Sequence, residues 1–148
     1  MNKKLTKRIL WGTGLGVLFG FLCFAGFSSK PDIPAEMASL QVWSWSNVWM
    51  WGTVANRAVL GLLVALGGVM VCHPWLGFRL HPILRGTKLG AIASLPMAIG
   101  SLANANHDMA VSGFWIVLVF GTIIGAIIDI VITKFIGDGS VLCDEDNN

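Results

Sequence analysis

The stretch that decides the fold is GFWIVLVFGTIIGAIIDIVITKFI, residues 113–136, which is apolar over a length that crosses a bilayer. A spanning helix needs about 20 residues, within a range of about 17–25. Three further stretches meet this requirement, at residues 9–27, 48–72 and 87–103. The sequence therefore predicts an all-α integral membrane protein with four transmembrane helices in a compact bundle.

The composition favours the same class. Of the 148 residues, 55% are hydrophobic and only 12% are charged, whereas soluble domains carry about 25% charged residues. The mean hydropathy is +0.72. We expect one transmembrane domain covering residues 1–148, with a short acidic cytoplasmic tail at residues 138–148.

The distribution of basic residues predicts the topology. Arg57 lies inside a predicted span and Lys30 lies on one side of the spans. The other eight basic residues fall on the opposite side: Lys3, Lys4, Lys7, Arg8, Arg79, Arg85, Lys88 and Lys134. Since Lys and Arg concentrate in cytoplasmic loops, we expect both termini in the cytoplasm and the protein in a prokaryotic inner membrane.

A cleaved signal peptide is an alternative interpretation of the first stretch. Its basic start suits one, but its apolar run of about 19 residues exceeds the 7–15 of a signal peptide. We therefore interpret residues 9–27 as a span.

Two charges, Arg57 and Asp129, lie inside predicted spans. Placing an ionisable side chain in hydrocarbon costs about 3 kcal/mol on insertion scales, so such residues usually face a bundle interior or a polar path. With the neighbouring Asn56 and with Thr133, one turn beyond Asp129, they define a predicted intramembrane polar core. We expect Arg57 and Asp129 to interact, directly or through water, although their Cα levels differ by roughly 10–13 Å. The alternative gives Asp129 a partner nearer the inner surface: Arg85, Lys88 or Thr133.

Small residues recur every four positions along the predicted helices, a spacing that lets two helix backbones approach closely. The predicted packing seams contain Gly12, Gly16, Gly20, Gly61, Gly90, Gly121 and Gly125. Arg57 and Asp129 lie on these rows, which points both charges into helix contacts. Tight packing within one chain explains such seams, and a face for self-association is the alternative. Because two seams of this kind are more than one compact bundle needs, we expect a homo-oligomer.

Neither a metal site, a cofactor site nor a catalytic site is predicted. Cys72, His73, His81 and Cys143 all map to the cytoplasmic side, but their spacing is looser than that of zinc ligands. The sequence contains no G-x-S-x-G, H-E-x-x-H or Walker motif, so we do not expect an enzyme. Five tryptophans near the outer interface form an aromatic belt or, alternatively, line a ligand site: Trp43, Trp45, Trp49, Trp51 and Trp115.

The function that fits these observations is non-enzymatic. We expect ion or small-solute permeation through an oligomer, with the polar core lining the path. In the alternative, the chain is an accessory or scaffold subunit of a larger membrane complex, and its glycine seams are docking faces. The expected partners are membrane lipids, further copies and, in the alternative, other membrane subunits, but no nucleic acid.

Overall fold

The computed structural model describes residues 3–28, 43–70, 80–103 and 106–138, and the regular secondary structure of these segments is entirely helical. The four helices are α1 (Lys3–Ser28), α2 (Val48–Gly67), α3 (Pro82–Ser101) and α4 (His107–Ile136). The prediction of an all-helical chain with four long helices is therefore confirmed.

Three of these helices are long and apolar enough to cross a membrane, namely α1 (over Lys3–Gly26), α2 and α4. The third helix has 20 residues, and this length spans about 30 Å. It is not among the candidate spans, because Arg85, Lys88 and Pro96 lower its hydropathy. Three of the four predicted spans are thus confirmed as helices whose length and composition suit a membrane crossing.

Three helices begin before their apolar stretches. Helix α1 extends back to Lys3, since Lys, Leu and Arg are good helix formers. Helix α3 begins at Pro82, which suits the first helical position, and the His81 side chain caps it. Helix α4 begins at His107 because the Asn106 side chain accepts hydrogen bonds from two backbone N–H groups of its first turn. Hydropathy located the apolar part of these three helices and missed their polar starts.

The helices alternate in direction and form two hairpins, α1–α2 and α3–α4, whose internal contacts are the most extensive of the bundle. In the first hairpin, Gly12 lies against Gly61 and Ala65, while Gly16 lies against the backbone of Arg57. A Cβ atom at either glycine would overlap the facing backbone. We define the base of the bundle as the end at which α1 and α3 begin.

The second hairpin repeats this contact scheme. Gly86 lies against Gly125, and Gly90 lies against Gly121. The packing glycines also stand in matching motifs, GTGLG at residues 12–16 and GTKLG at residues 86–90. The bundle is thus built from two similar hairpins that point in the same direction.

The apolar core joins the hairpins. Its buried residues are Leu60, Val64, Ala65, Ala93, Ile124, Ile128 and Ile132. Because the glycine seams are filled by helix contacts within one chain, they do not support a contact between copies of the protein.

Candidate functional site

The buried carboxylate of Asp129 is the centre of an ionic cluster at the base, which we define as Arg8, Arg85, Asp129 and Thr133. Asp129 is fully buried. Its Oδ1 accepts from Arg8 Nη2 at 2.6 Å and from Arg85 Nη2 at 2.9 Å. Its Oδ2 accepts from Arg85 Nε at 2.7 Å. Arg85 therefore binds the carboxylate with two parallel hydrogen bonds, the strongest geometry for this pair.

Thr133, one turn beyond Asp129 on α4, completes the cluster. Its hydroxyl donates to Asp129 Oδ1 over 3.1 Å and accepts from Arg85 Nη2 at 3.0 Å. Arg8 donates to the same hydroxyl from both terminal nitrogens, at 3.2 Å each. A single threonine oxygen thus lies within reach of every charged member.

The remaining donors of the two arginines tie the cluster to the helix ends. Arg8 Nε donates to the carbonyl of Ala65 over 3.0 Å, and Arg8 Nη1 donates to that of Gly137 over 2.6 Å. Arg85 Nη1 donates to the carbonyl of Met70 at 3.3 Å. The cluster therefore joins α1 and α3 to the residues at or just beyond the ends of α2 and α4.

Together with the neighbouring Asp138, the cluster contains two positive and two negative charges. Two guanidinium groups share Asp129, and Asp138 adds a second carboxylate 3.4 Å from Arg85 Nη1, with 18% of its side chain exposed. A buried charge without its partner is strongly unfavourable, whereas a fully hydrogen-bonded group is tolerated. The cluster accordingly has the properties of a structural tie that holds the hairpins together at the base.

A second polar site lies halfway along the bundle, and we call its residues Asn56, Arg57 and Ser94 the midbundle site. Arg57 is the tenth of the 20 residues of α2, about 15 Å from either end. Its Nη1 donates to Ser94 Oγ of α3 over 2.7 Å. Asn56 Nδ2 donates to the carbonyl of Ala93, also on α3, over 3.1 Å. The site therefore bridges the two hairpins.

The midbundle site is incompletely hydrogen-bonded. Asn56 Oδ1 and Arg57 Nε are the two buried side-chain polar atoms without a partner among the described residues. Arg57 is only 3% exposed and Ser94 is fully buried. Buried polar atoms are nearly always paired, so such exceptions mark strain, function or a missing ligand or water.

The structure does not bring Arg57 and Asp129 together. A Cβ atom at Gly121 would lie 3.0 Å from Arg57 Nη1, and Gly121 precedes Asp129 by two helical turns, about 12 Å along α4. Asp129 instead binds Arg85 and Thr133, as in the alternative given above, while Lys88 is exposed. The predicted polar core is thus divided into Asn56 with Arg57 and Asp129 with Thr133.

Sequence reasoning missed Arg8 and Ser94. In the sequence, Arg8 and its neighbour Lys7 are both basic residues that precede a predicted span. In the structure, Lys7 is exposed and Arg8 is buried. The signal that distinguishes them is spacing: Arg8 continues the row of Gly12, Gly16 and Gly20 by one step of four. The glycines of that row face α2, so a residue one step along the row is directed into the bundle, where the Arg8 side chain also reaches Asp129 on α4.

Of the metal-ligating candidates, Cys72, His73 and Cys143 lie outside the described residues. His81 caps α3 through a hydrogen bond from the backbone N–H of Ile83 to its Nδ1, 3.3 Å long. Within the described segments, no three His, Cys, Asp or Glu side chains are grouped closely enough to hold a metal ion.

The tryptophans near the start of α2 stack on one another and on α1. Trp43 packs against Phe21 and Phe24, and Trp45 stacks on Trp51. Trp45 remains 86% exposed and Trp115 57% exposed, as is typical of residues facing the membrane interface.

Comparison of the chain with protein-family models, curated proteins and solved structures finds no match.

Proposed function

We propose that the protein mediates permeation of an ion or small solute across a prokaryotic inner membrane, without enzymatic activity and with both termini in the cytoplasm. The observation that carries this proposal is the midbundle site. A buried arginine with an unpaired Nε lies halfway along the bundle, between two hairpins. Polar groups in membrane spans are expensive and usually mark a pathway or a binding site.

The position of the midbundle site between similar hairpins supports the proposal. Many transporters are built from repeated halves, and their solute sites lie near the bilayer midplane where the halves meet. Here α2 and α3 contribute the polar groups, and these helices contact each other less than either contacts its hairpin partner. The ionic cluster closes the same interface at the base through the Arg8–Asp129 pair. In this proposal, a solute that leaves toward the base passes only after the Arg8–Asp129 ion pair separates.

A homo-oligomer remains part of the proposal, although the glycine seams no longer support it. The accessory-subunit alternative used those seams as docking faces, and they are filled within the chain. Light scattering of purified protein in mild detergent measures the stoichiometry. Co-purification with a fixed second protein, in place of a defined homo-oligomer, would favour the alternative.

The proposal is tested by reconstituting the purified protein in liposomes and measuring solute flux. We expect flux above that of empty liposomes, reduced by Ser94→Ala and unchanged by Lys134→Gln, whose side chain is exposed. Equal flux in protein-containing and empty liposomes, over a panel of anions, cations and small neutral solutes, would reject permeation.

A further inference from the structure

The charges of the described buried residues do not balance. Three arginines, Arg8, Arg57 and Arg85, are at most 3% exposed, whereas Asp129 is the one acidic residue buried to that extent among the segments described. Arg8 and Arg85 share Asp129, and Arg85 also contacts Asp138. None of these ion pairs includes Arg57. Its guanidinium is thus a buried positive charge without a carboxylate partner in the described part of the chain.

The midbundle site around Arg57 contains two available donor hydrogens, one unpaired acceptor (Asn56 Oδ1) and no negative charge. Arg57 Nε–H is unpaired. The Ser94 hydroxyl accepts from Arg57 Nη1, and it keeps its own hydrogen for a second acceptor. Gly121 faces both groups, and a Cβ atom there would overlap Ser94 Oγ. A glycine at 121 therefore leaves room for the serine beside the guanidinium.

We propose that Arg57 and Ser94 bind a small monovalent inorganic anion, of the size of a halide, between the two hairpins. This inference rests on the proposed function and names its solute class. An anion supplies both the missing countercharge and the acceptor for Nε–H, and hydrogen bonds to charged groups are among the strongest in proteins. One guanidinium balances one negative charge.

The depth of the site excludes a lipid phosphate as the ligand. Arg57 lies about 15 Å from either end of α2, whereas phospholipid headgroups lie at the membrane surfaces.

The binding experiment measures the unfolding temperature of the detergent-solubilised protein against the concentration of sodium chloride or sodium bromide, at constant ionic strength with sodium gluconate. We expect a saturable rise for the wild type, since a ligand that binds only the folded state stabilises it. Arg57→Gln should weaken the apparent anion affinity by about tenfold or more. Lys134→Gln, which removes an exposed charge, should keep the wild-type response.

Two further variants keep the test decisive where Arg57→Gln does not fold. Arg57→Lys keeps the charge and should retain a measurable response, and Ser94→Ala should weaken it. The proposal would be overturned if the unfolding temperature of the wild type did not change as chloride replaces gluconate. An anion response that Ser94→Ala leaves at full size would also overturn it.

Flux of radioactive chloride and of rubidium into liposomes separates this inference from the proposed function. An Arg57-dependent anion response without flux of any solute would retain the anion site and reject permeation. Rubidium flux without chloride flux or an anion response would retain permeation and reject the anion. Chloride flux that Arg57→Gln abolishes supports both.

Discussion

At the scale of single residues, the two charges that the sequence places in predicted spans have different surroundings. Asp129 receives hydrogen bonds from two arginines and a threonine, so its charge is satisfied within the chain. Arg57 has one serine hydroxyl and an unpaired Nε. The first charge is thus fully hydrogen-bonded within the described residues, whereas the second retains an Nε–H without an acceptor there.

Asp129→Asn should destabilise the folded protein by about 3–5 kcal/mol, because it leaves two buried arginines without their shared carboxylate. Asp138→Asn is the matched control: it makes the same change on a partly exposed partner of Arg85, and we expect a loss of about 1 kcal/mol or less. Unfolding in mixed micelles with increasing dodecyl sulfate measures both losses. Equal losses would mean that Asp129 is not the centre of the cluster.

Double-mutant cycles distinguish the observed partner of Asp129 from the one that the sequence suggested. The losses from Arg57→Leu and Asp129→Leu should add within about 0.5 kcal/mol, as for separated sites. The losses from Arg85→Leu and Asp129→Leu should not add, because the two side chains are in contact. The same unfolding assay gives both coupling energies. Coupling of Arg57 to Asp129 that exceeds that of Arg85 would contradict the arrangement described above.

The sequence identified Arg57, Asp129, Asn56 and Thr133 as residues of interest because hydropathy singles out polar residues within apolar runs. The sequence alone does not identify the hydrogen-bond partners of these residues, because the pairing depends on the relative axial positions of the packed helices. Arg8 escaped attention for a similar reason: hydropathy places it before the span, whereas α1 begins at Lys3 and carries it into the bundle.

At the scale of helices, the glycine rows determine how closely each hairpin packs. Their spacing was visible in the sequence, but their partner was not: the same four-residue row suits a contact within the chain or between copies. The structure uses them within hairpins, where Gly16 and Gly61 lie in contact. The resulting proximity holds Arg57 against α1 and directs its side chain toward α3.

Gly16→Ala should destabilise the first hairpin by about 1–3 kcal/mol, because its methyl group would overlap the Arg57 carbonyl. Gly14→Ala is the matched control on the same helix. Nothing lies within 4 Å of the Cβ position at Gly14, and alanine is the better helix former. Thermal unfolding in detergent measures both variants. A Gly16→Ala protein as stable as Gly14→Ala would mean that α1 and α2 pack less closely than described.

At the scale of the whole molecule, the alternating directions of the helices determine the expected topology. Three are apolar enough, and α3 carries Arg85 into the base and Lys88 on its exposed side. Because all four helices alternate in direction, both ends of the described chain lie at the base. Four crossings and an inward-facing base agree with the basic residues at the chain start.

Cysteine labelling tests this topology in a variant that lacks Cys23, Cys72 and Cys143. His107→Cys, at the exposed start of α4, should react with an impermeant maleimide added outside intact cells. Lys3→Cys should react only with a permeant reagent. A protected His107→Cys would mean that α3 does not cross the membrane, since α4 would then begin in the cytoplasm.

The hydrogen bond from Arg8 to Asp129 joins residues 121 positions apart. It can therefore form only late in the biosynthesis of the chain. At about 5–20 residues per second, the ribosome needs about 6–24 s to deliver the carboxylate after the arginine. Throughout that interval the nascent first hairpin holds its guanidinium without the acid that will neutralise it. A chain that ends before α4 therefore leaves Arg8 and Arg85 without the carboxylate that they share in the complete bundle.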